Sequence, residues 1–116
     1  MNPMKRDQRL YLDDIIQSIQ AIEDYIQGVT QEQFNTSQLL QDAVVRRLEI
    51  IGEAAGHLPK ELTDRYPEIP WRRISGMRNR ITHEYFGIVF ERVWEVTEKD
   101  LPVLKANILK MMQELP

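Results

Sequence analysis

The sequence predicts an all-α protein, an antiparallel bundle of four to five helices, on three observations. Apolar residues recur three and four positions apart over two stretches of about twenty residues, the period of a helix with one buried face. No stretch alternates apolar and polar residues as a half-buried strand would. Residues suited to starting and stopping helices fall between the periodic stretches.

The first periodic stretch runs from Arg9 to Ile26, with Leu12, Ile15, Ile16, Ile19, Ile22 and Ile26 on its apolar face. Gly28 supplies a C-terminal stop, and Thr30 with Gln33 forms a capping-box pattern that opens a short turn through Phe34. Thr36 or Ser37 can cap the second long helix, whose apolar positions are Leu40, Ala43, Val44, Leu48, Ile51, Ala55 and Leu58. Gly52, Ala54, Ala55 and Gly56 leave part of that helix nearly bare, so another helix can approach it closely. Pro59 to Pro70 reads as a connector with one helical turn. Pro70 suits the opening of a third helix from Trp71 to about Tyr85, with Trp71, Ile74, Met77 and Ile81 inward and Phe86–Gly87 ending it. A fourth helical region is expected from about Val89, bending around Asp100, Leu101 and Pro102 and continuing to Leu115.

With 116 residues, the chain is expected to form a single domain over residues 1–116. A content of 42% hydrophobic and 28% charged residues suits a folded protein with a modest core and is too apolar for a disordered one. Cysteine is absent, which excludes disulfides and thiolate ligands, and no window approaches the run of about 20 apolar residues that a membrane span needs. The N-terminal residues lack the apolar core of a signal peptide, and the expected location is the cytoplasm. A net charge of −3 excludes a protein that coats polyanions with its whole surface. Positive charge is concentrated instead: no acid lies between Glu68 and Glu84, and Arg72, Arg73, Arg78 and Arg80 fall inside that gap.

The same gap carries MRNRITHEYFGI, Met77 to Ile88. On a helix Asn79 and His83 share a face and Arg78 shares another with Tyr85, while Arg78 and His83 stand about 140° apart and converge only where the chain turns near His83. Arginine is permanently charged and forks onto phosphate oxygens; histidine exchanges a proton near neutral pH. Together they can serve a phosphodiester under attack, the imidazole acting on the attacking or leaving oxygen and the guanidinium neutralising the phosphoryl charge. RNA carries its own nucleophile, the 2′-hydroxyl, so such a site requires no metal. The structural alternative is that both residues bond the free carbonyls at a helix C-terminus and complement its dipole.

Arg78, Asn79, His83 and Tyr85 match the R-x4-H-x-Y pattern of the HepT-like branch of the HEPN superfamily. The segments RRLEIIGEAAGHLP, PWRRISGMRNR and VWEVTEKDLPVL also resemble that family, so the likeness covers nearly the whole chain. The resemblance implies a HEPN-type helical bundle that pairs as a homodimer, with Arg78 and His83 of both subunits meeting in the interface cleft as catalytic residues and Asn79 supporting them. It also implies a metal-independent ribonuclease acting on RNA, the toxin partner of an MntA-type minimal nucleotidyltransferase antitoxin. That partner would transfer AMP from ATP to Tyr85, and the toxin itself would need no cofactor. One such histidine per chain is too few for separate acid and base roles, and a twofold dimer would supply two.

Among the remaining residues, Arg72, Arg73 and Arg80 are candidates for contacts with RNA or antitoxin, because the acid-free window leaves their charge locally uncancelled. His57 can line the cleft or make a backbone bond at its helix end. Arg46 and Arg47 suit a solvated face, an ion pair with Glu49 or Glu53, or a phosphate contact. Trp71 and Trp94 fit the helical spacing of core residues better than a base-stacking role, and Tyr11, Tyr25 and Tyr66 read as packing residues with a polar tip. Two histidines without a suitably spaced carboxylate pair make no metal site. Two rivals to the ribonuclease share this bundle. One is a non-catalytic HEPN subunit that presents nucleotide or substrate to a separate nucleotidyltransferase, and the other is a purely structural helical dimer.

Overall fold

A computed structural model describes residues 3–76 and 90–115, and within them the chain is all helix and connection, with no strand. Helix α1 (Pro3–Ile26) is followed by the five-residue α2 (Gln31–Asn35), the long α3 (Gln38–Gly56) and the single turn α4 (Lys60–Thr63). Residues 71–76 are helical and form α5 as far as it is described. Helix α6 (Phe90–Glu95) passes through a π-helical turn (Val96–Asp100) into α7 (Leu101–Glu114).

Local chemistry accounts for the boundaries. Gly28 takes φ 75°, a left-handed conformation that costs glycine least, and turns the chain out of α1. The capping box then opens α2: the Gln33 N–H donates to the Thr30 hydroxyl at 3.1 Å, and the Thr30 N–H donates to the Gln33 side chain at 2.9 Å. Of the two residues suited to capping α3 it is Ser37 that does so, accepting from the Leu40 N–H at 3.2 Å. The Thr36 hydroxyl turns back to the α2 carbonyls of Glu32 and Gln33. Buried Gln41 joins the two helices by donating from Nε2 to the carbonyls of Phe34 and Asn35, both at 3.0 Å.

Two features differ from the sequence reading. Helix α1 extends back to Pro3 rather than starting at Arg9; the residues before Arg9, PMKRDQ, carry no periodic apolar pattern in sequence, so periodicity does not mark them, and proline is tolerated in a first helical turn. The expected bend before α7 is a widened turn. Pro102 has no N–H for the Glu98 carbonyl and its ring would crowd that group, and the π turn absorbs the mismatch, closed by the Leu101 N–H donating to the Val96 carbonyl. Thr97 is buried in this turn and donates to the Trp94 carbonyl at 2.7 Å.

Long-range side-chain contacts set the helix directions. Arg9 near the start of α1 donates to the Leu115 carbonyl just past α7, while Lys105 early in α7 pairs with Glu23 late in α1 at 2.8 Å, so α1 and α7 are antiparallel. Tyr11 stacks on His57 beyond the end of α3, while Tyr25 accepts from Arg47 Nε further back in α3 at 3.4 Å, so α1 and α3 are antiparallel too. The core lies between these three helices. Leu12, Ile15, Ile19 and Ile22 of α1 are fully buried with Val44, Leu48 and Ile51 of α3 and Ile108 and Met111 of α7, each such side chain contributing ~1.5–3 kcal/mol of apolar burial. Phe34 closes one end of this core and lies against Trp94, ring centroids 5.4 Å apart.

One polar group is enclosed with the apolar ones. Ser18 on α1 is 1% exposed, and its hydroxyl has no hydrogen-bond partner among the described residues. A buried donor without a partner carries a desolvation penalty, so Ser18→Ala is expected to leave stability unchanged or raise it by up to ~1 kcal/mol. Urea unfolding checks this, and a loss of more than about 1 kcal/mol would mean that the hydroxyl is satisfied in solution.

Candidate functional site

The approach to the motif is built by the connector and α5. Residues 59–70 pack inward through Leu62, Tyr66 and Ile69, all buried. The Tyr66 hydroxyl hydrogen-bonds the Glu114 carboxylate near the end of α7, and that bond to an anion, with burial, raises its pKa above the usual tyrosine value. The Tyr66 carbonyl accepts from Trp71 Nε1 at 3.1 Å, so the indole is fixed from behind and half-buried against the core. Pro70 precedes α5, and its carbonyl accepts the Ile74 N–H at 3.0 Å as the first helical bond. Ile74 is buried as expected. Trp94 is likewise half-buried against the core, so both tryptophans take the packing role that their spacing suggested.

The small face of α3 receives α5. A Cβ placed on Gly56 would stand 3.7 Å from Ser75 Cβ, ordinary van der Waals distance, so the last turn of α3 and the described part of α5 approach each other closely there. Ser75 lies one turn after Arg72 and three residues before Arg78. Arg78, Asn79, Arg80, His83 and Tyr85 lie outside the described residues, as do Met77 and Ile81, which were expected to point inward, and Phe86–Gly87, where the helix was expected to end.

The two described arginines of the basic window differ. Arg72 is exposed, with no carboxylate at ion-pair distance among the described residues. Arg73 pairs with Asp100 of the π turn at 3.2 Å, so the window that is acid-free along the chain is not so in space at this position. Both partners are substantially exposed, and a surface pair of this kind contributes only ~0–1 kcal/mol, little enough for Arg73 to exchange it for another anion.

Of three further contacts, the first was legible from spacing and the other two were not. Arg46 pairs with Glu49, one of its two expected partners, at 3.5 Å, whereas Arg47 donates to Tyr25. Tyr25 therefore has a basic neighbour that sequence order concealed. His57 closes α3 with its main chain, donating to the Ala54 carbonyl at 3.1 Å, but its exposed ring stacks on Tyr11 with centroids 5.2 Å apart and planes 14° from parallel. No three His, Asp or Glu side chains among the described residues cluster as metal ligands would. No described helix is long and apolar enough to cross a membrane.

An all-α bundle in which an arginine-bearing helix approaches the bare end of α3 and is followed along the chain by an R-x4-H-x-Y stretch is consistent with a HEPN-type helical bundle. The model of the family described as "Ribonuclease HepT-like" matches residues 15–111, spanning both the bundle and that stretch. The chain belongs to the HepT-like ribonuclease family. A protein of Thermococcus cleftensis named "Probable ribonuclease HepT" is 39% identical over 93% of this chain and 98% of its own length. A candidate RNase of Caldanaerobacter subterraneus is 38% identical over 91% of the chain and 95% of its own. A Methanocaldococcus jannaschii protein named as a gamma-glutamylcyclotransferase and candidate RNase is 47% identical over 97% of the chain, which spans only 50% of that relative's length. No solved structure gives a significant match.

Proposed function

We propose that the chain is a metal-independent endoribonuclease and acts as the toxin of a toxin–antitoxin pair whose antitoxin is an MntA-type nucleotidyltransferase. The observation that carries this reading is that the ribonuclease family match spans residues 15–111, the range that contains Arg78, Asn79, His83 and Tyr85. Two copies meet so that their motifs share one cleft. His83 of one subunit takes the proton from a 2′-hydroxyl, the oxygen attacks the adjacent phosphorus, and the P–O5′ bond breaks. The other subunit's histidine gives a proton to the departing 5′-oxygen, and a 2′,3′-cyclic phosphate remains. Arg78 holds the phosphate and neutralises the charge that gathers on its oxygens, and Asn79 orients one of the pair. Arg72, Arg73 and Arg80 supply contacts to RNA or antitoxin. The reaction needs no cofactor and takes place in the cytoplasm.

Control resides at Tyr85. The antitoxin uses ATP, the tyrosine oxygen displaces pyrophosphate from the α-phosphorus, and AMP remains on the ring. The added phosphate occupies the Arg78 fork that otherwise receives RNA.

Incubation with the nucleotidyltransferase and ATP tests the pairing: intact mass should rise by one AMP per chain, cleavage should cease, and Tyr85→Phe should block both changes while cleavage of RNA persists. An unaltered mass, or an adenylylated protein that still cuts RNA at the parent rate, would overturn the regulatory reading. Nucleotide binding by an unmodified protein that cuts no RNA would favour the non-catalytic subunit.

A further inference from the structure

We infer that the stacked pair Tyr11–His57 is a platform for a nucleobase of single-stranded RNA at the border of the cleavage site, an inference that rests on the ribonuclease reading above. The two rings lie nearly parallel, 14° apart with centroids at 5.2 Å. Tyr11 is half-buried and packs against the core, so the inner ring is held by α1. The outer ring belongs to His57, which is exposed at the surface while Tyr11 stacks against it. An aromatic ring backed by a second, anchored ring presents a flat surface at little ordering cost, and unpaired bases stack on such surfaces irrespective of identity because each has a π-face.

Position gives the platform its relevance. His57 follows Gly56, the residue that Ser75 of α5 closely approaches, and three residues after Ser75 the chain reaches Arg78. Arg72, exposed and one helical turn before Ser75, adds a cation to this same junction of α3 and α5. A strand whose phosphate is held at the motif and along α5 would bring a neighbouring base to the end of α3. His57 is accordingly a substrate-binding residue that reads no sequence.

The test uses the full chain and a fluorescent single-stranded oligonucleotide of mixed sequence, 2′-O-methylated so that it binds but offers no nucleophile. Anisotropy titrations should show His57→Ala binding about 5- to 150-fold more weakly than the parent, the range expected for losing one aromatic–base stack. His57→Phe should bind within about threefold of the parent, since it keeps the ring. The slope of affinity against salt should match the parent's, because no phosphate contact is removed. Placing an abasic site at successive positions should weaken the parent at one position and leave His57→Ala indifferent there. Thermal melts establish that each variant is folded. Equal binding by folded His57→Ala and a parent that cleaves RNA overturns the platform and leaves the ribonuclease reading standing. A parent that neither binds the oligonucleotide nor cuts RNA overturns both.

Discussion

Replacing His83 with alanine is expected to lower RNA cleavage by about 10²–10⁴-fold, the usual worth of a positioned proton-transfer group. Arg78→Ala should cost about 10²–10³-fold, comparable to removing one preorganised donor to a developing oxyanion. Both measurements are made on a mixed RNA pool with EDTA present, and the products of the parent protein should end in cyclic phosphates. The competing structural role makes a different forecast. If the two residues only bond the end of a helix, each substitution lowers stability by about 0.5–1 kcal/mol and leaves any activity intact. Folded variants that cut RNA at the parent rate would remove Arg78 and His83 from the chemistry. A parent that is inert although intact mass shows Tyr85 unmodified would remove the chemistry from the protein.

The largest effect on stability is expected at Phe34. Phe34→Ala should cost ~3–5 kcal/mol, the range for deleting a fully buried aromatic ring. The side chain is 0% exposed, lies against Trp94 and belongs to a helix of only five residues, so the α2–α6 contact depends on it. Small domains are stable by only about 5–15 kcal/mol, and the loss would take a large share of that. Urea unfolding followed by tryptophan fluorescence reads the change. Leu39→Ala is the control: Leu39 is 80% exposed, and its truncation should fall within about ±0.5 kcal/mol. A loss below about 1 kcal/mol for Phe34→Ala would show that the end of the core collapses to fill the space.

Periodicity marked the buried face of α1 almost residue by residue: Leu12, Ile15, Ile16, Ile19 and Ile22 are all buried, and only Ile26 at the end is half-exposed. The capping box at Thr30 and Gln33, the turn at Gly28 and the cap at Ser37 were equally legible. Each is an interaction among residues at most four apart, and such interactions are decided by the order of the chain. The first turns of α1 were not legible because their sequence carries no periodic apolar pattern, and the π turn was not because proline announces a disturbance without specifying how the backbone absorbs it.

The candidate site divides in the same way. The R-x4-H-x-Y pattern, the arginine concentration around it and the family to which they point are properties of linear order, and the sequence by itself determined them, together with the helical class of the fold. Which charges are paired and which rings meet was decided only by tertiary structure. Arg73 finds Asp100 across 27 positions, Arg47 finds Tyr25 across 22, and His57 finds Tyr11 on another helix, because the antiparallel packing of α1 against α3 and the seating of α5 near the π turn bring those side chains together. Helix position follows from contacts one turn apart, whereas the surroundings of a charged or aromatic side chain depend on the direction and register of helices that the chain order leaves open.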